Sequence, residues 1–136
     1  QEGGLTNPFG FTRRFWGNPA DHKVIREAIA FTPQSTIAIL LHIGMYRVWK
    51  ELNSKDVQLL CNVHDAILGQ IREEVFDEVL TKVLECMSNP IPMGDRILTV
   101  PVSAEVGYNW SPVDPHKKIF YDGNPLGLGE WRERRN

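Results

Sequence analysis

Val57-Gln58-Leu59-Leu60-Cys61-Asn62-Val63-His64-Asp65-Ala66-Ile67-Leu68-Gly69-Gln70-Ile71 is the stretch that decides the fold. Its first seven residues are rich in apolar and β-branched types in near alternation, and read as a strand. After His64-Asp65 a second apolar run resumes. Two such runs separated by two residues specify a tight hairpin, and His and Asp tolerate the positive φ of such turns better than most residues do. A carboxylate on a tight turn between buried strands is held rigidly and points to solvent. That arrangement suits Mg²⁺, which takes one or two protein carboxylates together with water and substrate phosphates. The plain alternative for the dipeptide alone is a polar hairpin turn.

Downstream, residues 72–87 read as an amphipathic helix. Phe76, Val79, Leu80, Val83, Leu84 and Met87 form its apolar stripe, and Glu73, Glu74, Asp77, Glu78 and Lys82 face outward. Ser88-Asn89-Pro90 stops it. A last strand, or pair of strands, is expected over about 97–107. Upstream, residues 1–17 read as a short hairpin punctuated by Gly3-Gly4, Asn7-Pro8 and Gly10. Asn18 or Asp21 caps a helix over about 22–30, which Thr32-Pro33 is expected to end. Pro33 then opens a second helix reaching Leu52, so apolar that it should be buried on most sides, with Gly44 admitting another backbone. The tail after Trp110 is rich in Pro and Gly and is expected to wrap or dangle. The order helix, helix, hairpin, helix, strand predicts an α+β fold, an antiparallel β-hairpin sheet backed by helices.

Bulk properties exclude little. Net charge is −2, with 42% hydrophobic and 24% charged residues, as in ordinary globular proteins. Residues 1–50 carry +3 and residues 51–136 carry −5. The basic surplus comes from Arg13, Arg14, Lys23, Arg26, Arg47 and Lys50, and a local basic surface can bind phosphate without a basic protein overall. No apolar run is read as long enough to span a bilayer, no signal peptide is visible, and no membrane partner is expected. Cys61 and Cys86 lack metal-ligand spacing and are expected to be reduced, buried thiols, in keeping with a cytoplasmic setting. The chain begins Gln1-Glu2-Gly3-Gly4 without Met, which suggests that it is trimmed or cut from something longer.

Four segments together resemble the family A (polymerase I-like) DNA polymerases. Residues 60–68, Leu-Cys-Asn-Val-His-Asp-Ala-Ile-Leu, look like the family's motif C. Residues 25–38, Ile-Arg-Glu-Ala-Ile-Ala-Phe-Thr-Pro-Gln-Ser-Thr-Ile-Ala, resemble the segment where an arginine and, eight residues later, a glutamine face the primer-template minor groove. Residues 5–15, Leu-Thr-Asn-Pro-Phe-Gly-Phe-Thr-Arg-Arg-Phe, resemble the arginine-containing hairpin that follows the fingers. Residues 101–110, Pro-Val-Ser-Ala-Glu-Val-Gly-Tyr-Asn-Trp, are similar to the closing strand with its Gly-x-Asn-Trp ending. The order and approximate spacing are the family's, and coverage is about 5–110.

The resemblance implies the C-terminal part of a polymerase palm over residues 1–110, followed by a Pro/Gly-rich tail over 111–136. It implies that Asp65 is one of two aspartates binding a catalytic Mg²⁺ pair and that His64 positions the primer terminus. Arg26 and Gln34 would contact minor-groove acceptors, which are nearly alike for every correct pair, and Arg13 and Arg14 would meet phosphates. Two positions depart from the pattern. Ala66 stands where an acidic residue usually follows His-Asp, and Ala30 stands where an asparagine is common. Nothing matches motif A, which supplies the other aspartate, or the fingers helix that receives the dNTP. The expected protein is therefore a split or processed polymerase of phage-like type, inactive alone. It would share its Mg²⁺ site with a complementary chain in the cytoplasm, that of a bacterial host if phage-encoded. A non-catalytic DNA-binding or scaffold subunit derived from a palm is the alternative. A His-Asp phosphohydrolase is disfavoured because the pair is flanked by strands and His22, His42 and His116 make no ligand set.

Overall fold

A computed structural model of the chain describes residues 3–110 and 127–131. The fold is α+β, with two α-helices and four small antiparallel β-ribbons among the described residues. The chain forms two compact units, Gln1–Val100 and Pro101–Asn136.

The first unit opens with a hairpin of β1 (Gly4–Thr6) and β2 (Thr12–Arg14). Its loop is organised by Asn7, 4% exposed. The Asn7 side-chain oxygen accepts the backbone N–H groups of Phe9 and Phe11, both at 3.0 Å, and its amide donates to Ser35 Oγ at 3.0 Å. One side chain therefore closes the loop and ties it to the helix that follows. Asn7→Ala would strip two amides of their acceptor, at about 1–3 kcal/mol. We expect the Phe9 and Phe11 amides to exchange faster with solvent while those of Val57–Val63 keep their protection.

That helix, α1, runs unbroken over His22–Leu52, with Asp21 as N-cap accepting from the Lys23 N–H at 2.8 Å. The expected break at Thr32-Pro33 does not occur. Pro33 sits inside the helix and denies the Ile29 carbonyl its usual partner, a change that costs about 3 kcal/mol in a helix interior. Ile29 and Pro33 both lie on an exposed side, where water can serve the carbonyl. The turns around the proline are held by packing. Phe31 is buried, its ring centroid 6.1 Å from Phe11 and 5.8 Å from Phe15.

The expectation that this apolar stretch is buried on most sides also fails, for a geometric reason. Phe31, in the first half, faces the β1–β2 hairpin. Leu40, Leu41, Gly44 and Val48, in the second half, are buried on a stripe that lies roughly 80–180° around the helix from Phe31 at 100° per residue. Each half leaves its other face open, Ile25 and Ile29 in the first, Ile43, Tyr46 and Trp49 in the second. Two apolar stripes on different sides look like all-round hydrophobicity in the sequence. Continuity has a further consequence. By length and composition α1 is long and apolar enough to cross a membrane, contrary to the sequence expectation, which broke the run at Pro33. A helix buried in a soluble core meets the same criteria, and the second half of α1 is packed on the next helix.

β3 (Val57–Val63) and β4 (Ala66–Ile71) form the expected hairpin. Its open end is clamped by Arg72. The guanidinium reaches Asp56 at 3.0 Å and Glu74 at 3.2 Å, and the Arg72 N–H donates to the Asp56 carbonyl at 3.0 Å. These ion pairs are exposed, so they fix geometry more than they add stability. A 3₁₀ turn, Glu73–Val75, leads into α2 (Phe76–Met87), whose stripe is as expected, with Leu80 the most buried of its members. The α1–α2 seam is close: a Cβ on Gly44 would lie 2.6 Å from Met87 Sδ and 3.1 Å from Met87 Cα. Arg47 then caps α2. Its Nη1 donates to the Cys86 carbonyl at 3.2 Å and Asn89 Oδ1 at 2.9 Å, placing positive charge at the negative end of the helix.

After α2 come β5 (Pro90–Met93) and β6 (Arg96–Thr99), joined by a Gly94-Asp95 turn in which Gly94 has φ 64°. The sequence reading began its last strand near Ile97 and missed β5, because Pro90 and Pro92 argue against a strand. A two-stranded ribbon has only edges, where prolines are tolerated. In the second unit β7 (Glu105–Val106) pairs with β8 (Gly129–Glu130), and the Trp131 N–H donates to the Ala104 carbonyl at 2.9 Å. The tail expectation for residues 111–126 lies outside the described residues.

Candidate functional site

The β3–β4 hairpin presents His64 and Asp65 as its two turn residues, between the paired Val63 and Ala66. His64 takes φ 54°, the left-handed value that the turn demands. Both side chains are exposed. The support differs from what the sequence suggested. The flanking strands are not buried: only Val57 is, at the base, and Cys61, Asn62, Val63 and Ala66 are exposed. What holds the turn is the backbone ladder along β3 and β4 and the Arg72 clamp at the other end, not a surrounding core. Cys61 is accordingly an exposed free thiol. Cys86 is buried as expected. Burial raises the Cys86 pKa, and the neighbouring Glu51 carboxylate raises it further, so this thiol stays protonated.

The remaining sequence-selected residues lie on the first hairpin and α1. Arg26 and Gln34 are both exposed on α1, roughly 12 Å apart along the axis and about 80° apart around it. Both lie on the open side of the first half of the helix, flanking Ile29 and Pro33. Arg13 and Arg14 are neighbours on β2 and so project to opposite faces of the ribbon. Arg13 has a local role: its Nη2 contacts Glu27 Oε2 at 3.2 Å, and its guanidinium carbon lies 5.2 Å from the Phe15 ring centroid. A phosphate would have to compete with Glu27 for it. The Arg13–Glu27 pair brings β2 and the start of α1 together, next to Arg26, and Asn7–Ser35 does the same beside Gln34.

Asn7 and Arg47 were not singled out as organising residues in the sequence. The only signal for Asn7 was its Asn-Pro turn chemistry, and Arg47 had none for its cap, since the acceptors there lie 38–42 residues away.

Asp65 has the right chemistry for one ligand of a hard cation, an exposed carboxylate on a turn. Among the described residues no group of three or more His, Cys, Asp or Glu side chains could hold a metal ion. Among the described residues, Asp65 is therefore not part of such a group.

Comparison with known proteins gives one relationship. The chain is 33% identical over 82 residues to a thermostable DNA polymerase I of Thermus filiformis. That stretch is 60% of this chain and 9% of the polymerase, so the chain corresponds to under a tenth of the length of the curated relative it matches. No family model and no solved structure matches. The sequence similarity supports a relationship to DNA polymerase I.

Proposed function

We propose that residues 1–110 are the C-terminal palm segment of a split or processed family A DNA polymerase, extending a primer in DNA replication only when joined by a complementary chain that supplies motif A and the fingers. The observation that carries the reading is the His64-Asp65 turn, an exposed carboxylate on a two-residue hairpin whose sequence resembles motif C. The similarity to a DNA polymerase I supports it.

In this reading Asp65 offers one carboxylate to a magnesium pair shared with the partner chain. When bound, such a pair activates the primer 3′-OH and steadies the leaving pyrophosphate. His64 holds the primer terminus. Arg26 and Gln34 reach minor-groove acceptors, where contacts report the shape of a correct pair and not its sequence. Arg13 and Arg14 meet backbone phosphates, Arg13 in competition with Glu27. The dNTP is received by the partner, and the assembly works in the cytoplasm. The open faces of α1, with Ile29, Tyr46 and Trp49, give the partner something to cover.

A scaffold role is the second reading, favoured by Ala66 and Ala30 at positions where the family has polar side chains. Mixing separates the two. The chain alone should extend no primer, and the two chains together should do so in the presence of Mg²⁺. Extension by this chain alone would refute the shared site, and an inactive mixture would leave the scaffold reading. The Arg26→Ala chain should bind primer-template more weakly by about 1–3 kcal/mol, measured by fluorescence anisotropy.

A further inference from the structure

Resting on the proposed function, we propose that a β-bulge at Leu60, facing Gly69, aims the His64-Asp65 turn, so that Leu60 is a positioning residue for nucleotidyl transfer. The strand register carries the inference. At the base, Val57, Gln58 and Leu59 pair with Ile71, Gln70 and Gly69. Beyond it, Cys61, Asn62 and Val63 pair with Leu68, Ile67 and Ala66. β3 therefore has one residue more than β4, and the extra residue is Leu60.

Had the base register continued, Leu60 would face Leu68 and Asn62 would face Ala66. The loop would then be Val63-His64-Asp65, three residues long. The extra residue makes it His64-Asp65 and puts His64 at φ 54°. A bulge also bends its strand and increases the local twist, which sets the direction of everything beyond it.

Gly69 provides an independent observation. A Cβ there would lie 3.2 Å from the Gln58 carbonyl oxygen, a backbone atom with little room to move. Glycine within a strand commonly marks a bulge or a close backbone approach. The Leu60 side chain is 49% exposed, so core packing does not explain the inserted residue. What matters is the residue count.

Two variants remove the bulge by opposite routes. Deleting Leu60 leaves every observed pair and the two-residue turn in place but straightens β3. Inserting one glycine between Leu68 and Gly69 gives β4 the matching residue. Leu60→Val keeps the bulge. Assayed with the complementary chain, both straightened hairpins should lower kcat about a hundredfold, with KM for primer-template unchanged to within about twofold, whereas Leu60→Val should keep kcat within about twofold. Full kcat in either straightened variant that still melts cooperatively would overturn the proposal, as would an equal loss in Leu60→Val. Should neither variant fold, NMR contacts in the wild-type chain decide. Cross-strand contacts between Cys61 and Leu68 and between Val63 and Ala66 support the bulge, and contacts between Asn62 and Ala66 overturn it. Asp65→Asn run in parallel distinguishes the two readings. Full activity of that variant sinks the catalytic assignment, whereas its inactivity beside a fully active Leu60 deletion sinks the aiming role alone.

Discussion

Asp65→Asn, mixed with the complementary chain, should extend a primer at least about a thousandfold more slowly than the wild type, a loss of several kcal/mol of transition-state stabilisation. The substitution is nearly isosteric and falls on an exposed turn position where Asn is as well tolerated as Asp, so the fold should be unaffected. It removes the negative charge that a hard cation requires. Primer-template binding by the chain alone should persist, because Arg26 and Gln34 lie on another element. The molecule supplies its own control. Asp95 occupies a second two-residue hairpin turn, Gly94-Asp95, without a neighbouring histidine. Asp95→Asn should leave extension unchanged. If both substitutions were silent, the His64-Asp65 turn would be no more than a polar turn.

The second large effect is on stability. Gly44→Val should destabilise the first unit by about 3 kcal/mol and lower its melting temperature by roughly 12–24 °C. A single added carbon already meets Met87 Sδ at 2.6 Å, Met87 Cε at 3.2 Å and Met87 Cα at 3.1 Å. The thioether can swing away, but the backbone atom moves only if the two helices separate along a seam that buries Leu40, Leu41, Val48 and Leu80. Gly44→Ala should cost less, about 1 kcal/mol, because alanine regains about 1 kcal/mol of helix propensity against about 2 kcal/mol of crowding. Adding Met87→Ala should relieve part of the Gly44→Val cost and not all of it, since the 3.1 Å backbone approach persists. Thermal denaturation followed by circular dichroism reads all three. A Gly44→Val chain melting at the wild-type temperature would mean that the helices are farther apart than described.

Local chemistry made some of this legible in the sequence. The β3–β4 hairpin and its His64-Asp65 turn follow from strand periodicity on each side of two residues that accept a left-handed φ. The stripe of α2 follows from period-3.6 spacing, and the close approach at Gly44 from a glycine inside a helix. One error comes from the assumption that an apolar residue has something to bury it, another from weighing a local penalty without its distant compensation. The strand of Cys61 is apolar, which suggests burial, yet Val57 at its base is the one buried residue in it. Pro33 was read as a helix boundary because the penalty is local, whereas the packing of Phe31 against Phe11 and Phe15 comes from a separate element.

By itself the sequence determined the α+β class, the hairpin, the amphipathic α2 and the residues to examine, since periodicity and turn chemistry act over a few neighbours. Only tertiary structure decided that α1 is continuous, that its two halves bury different faces, that Arg47 caps a helix about 40 residues away, and that one strand of the hairpin carries an extra residue. Those features depend on which surfaces meet after the chain has folded back on itself, and no short stretch of sequence contains that information.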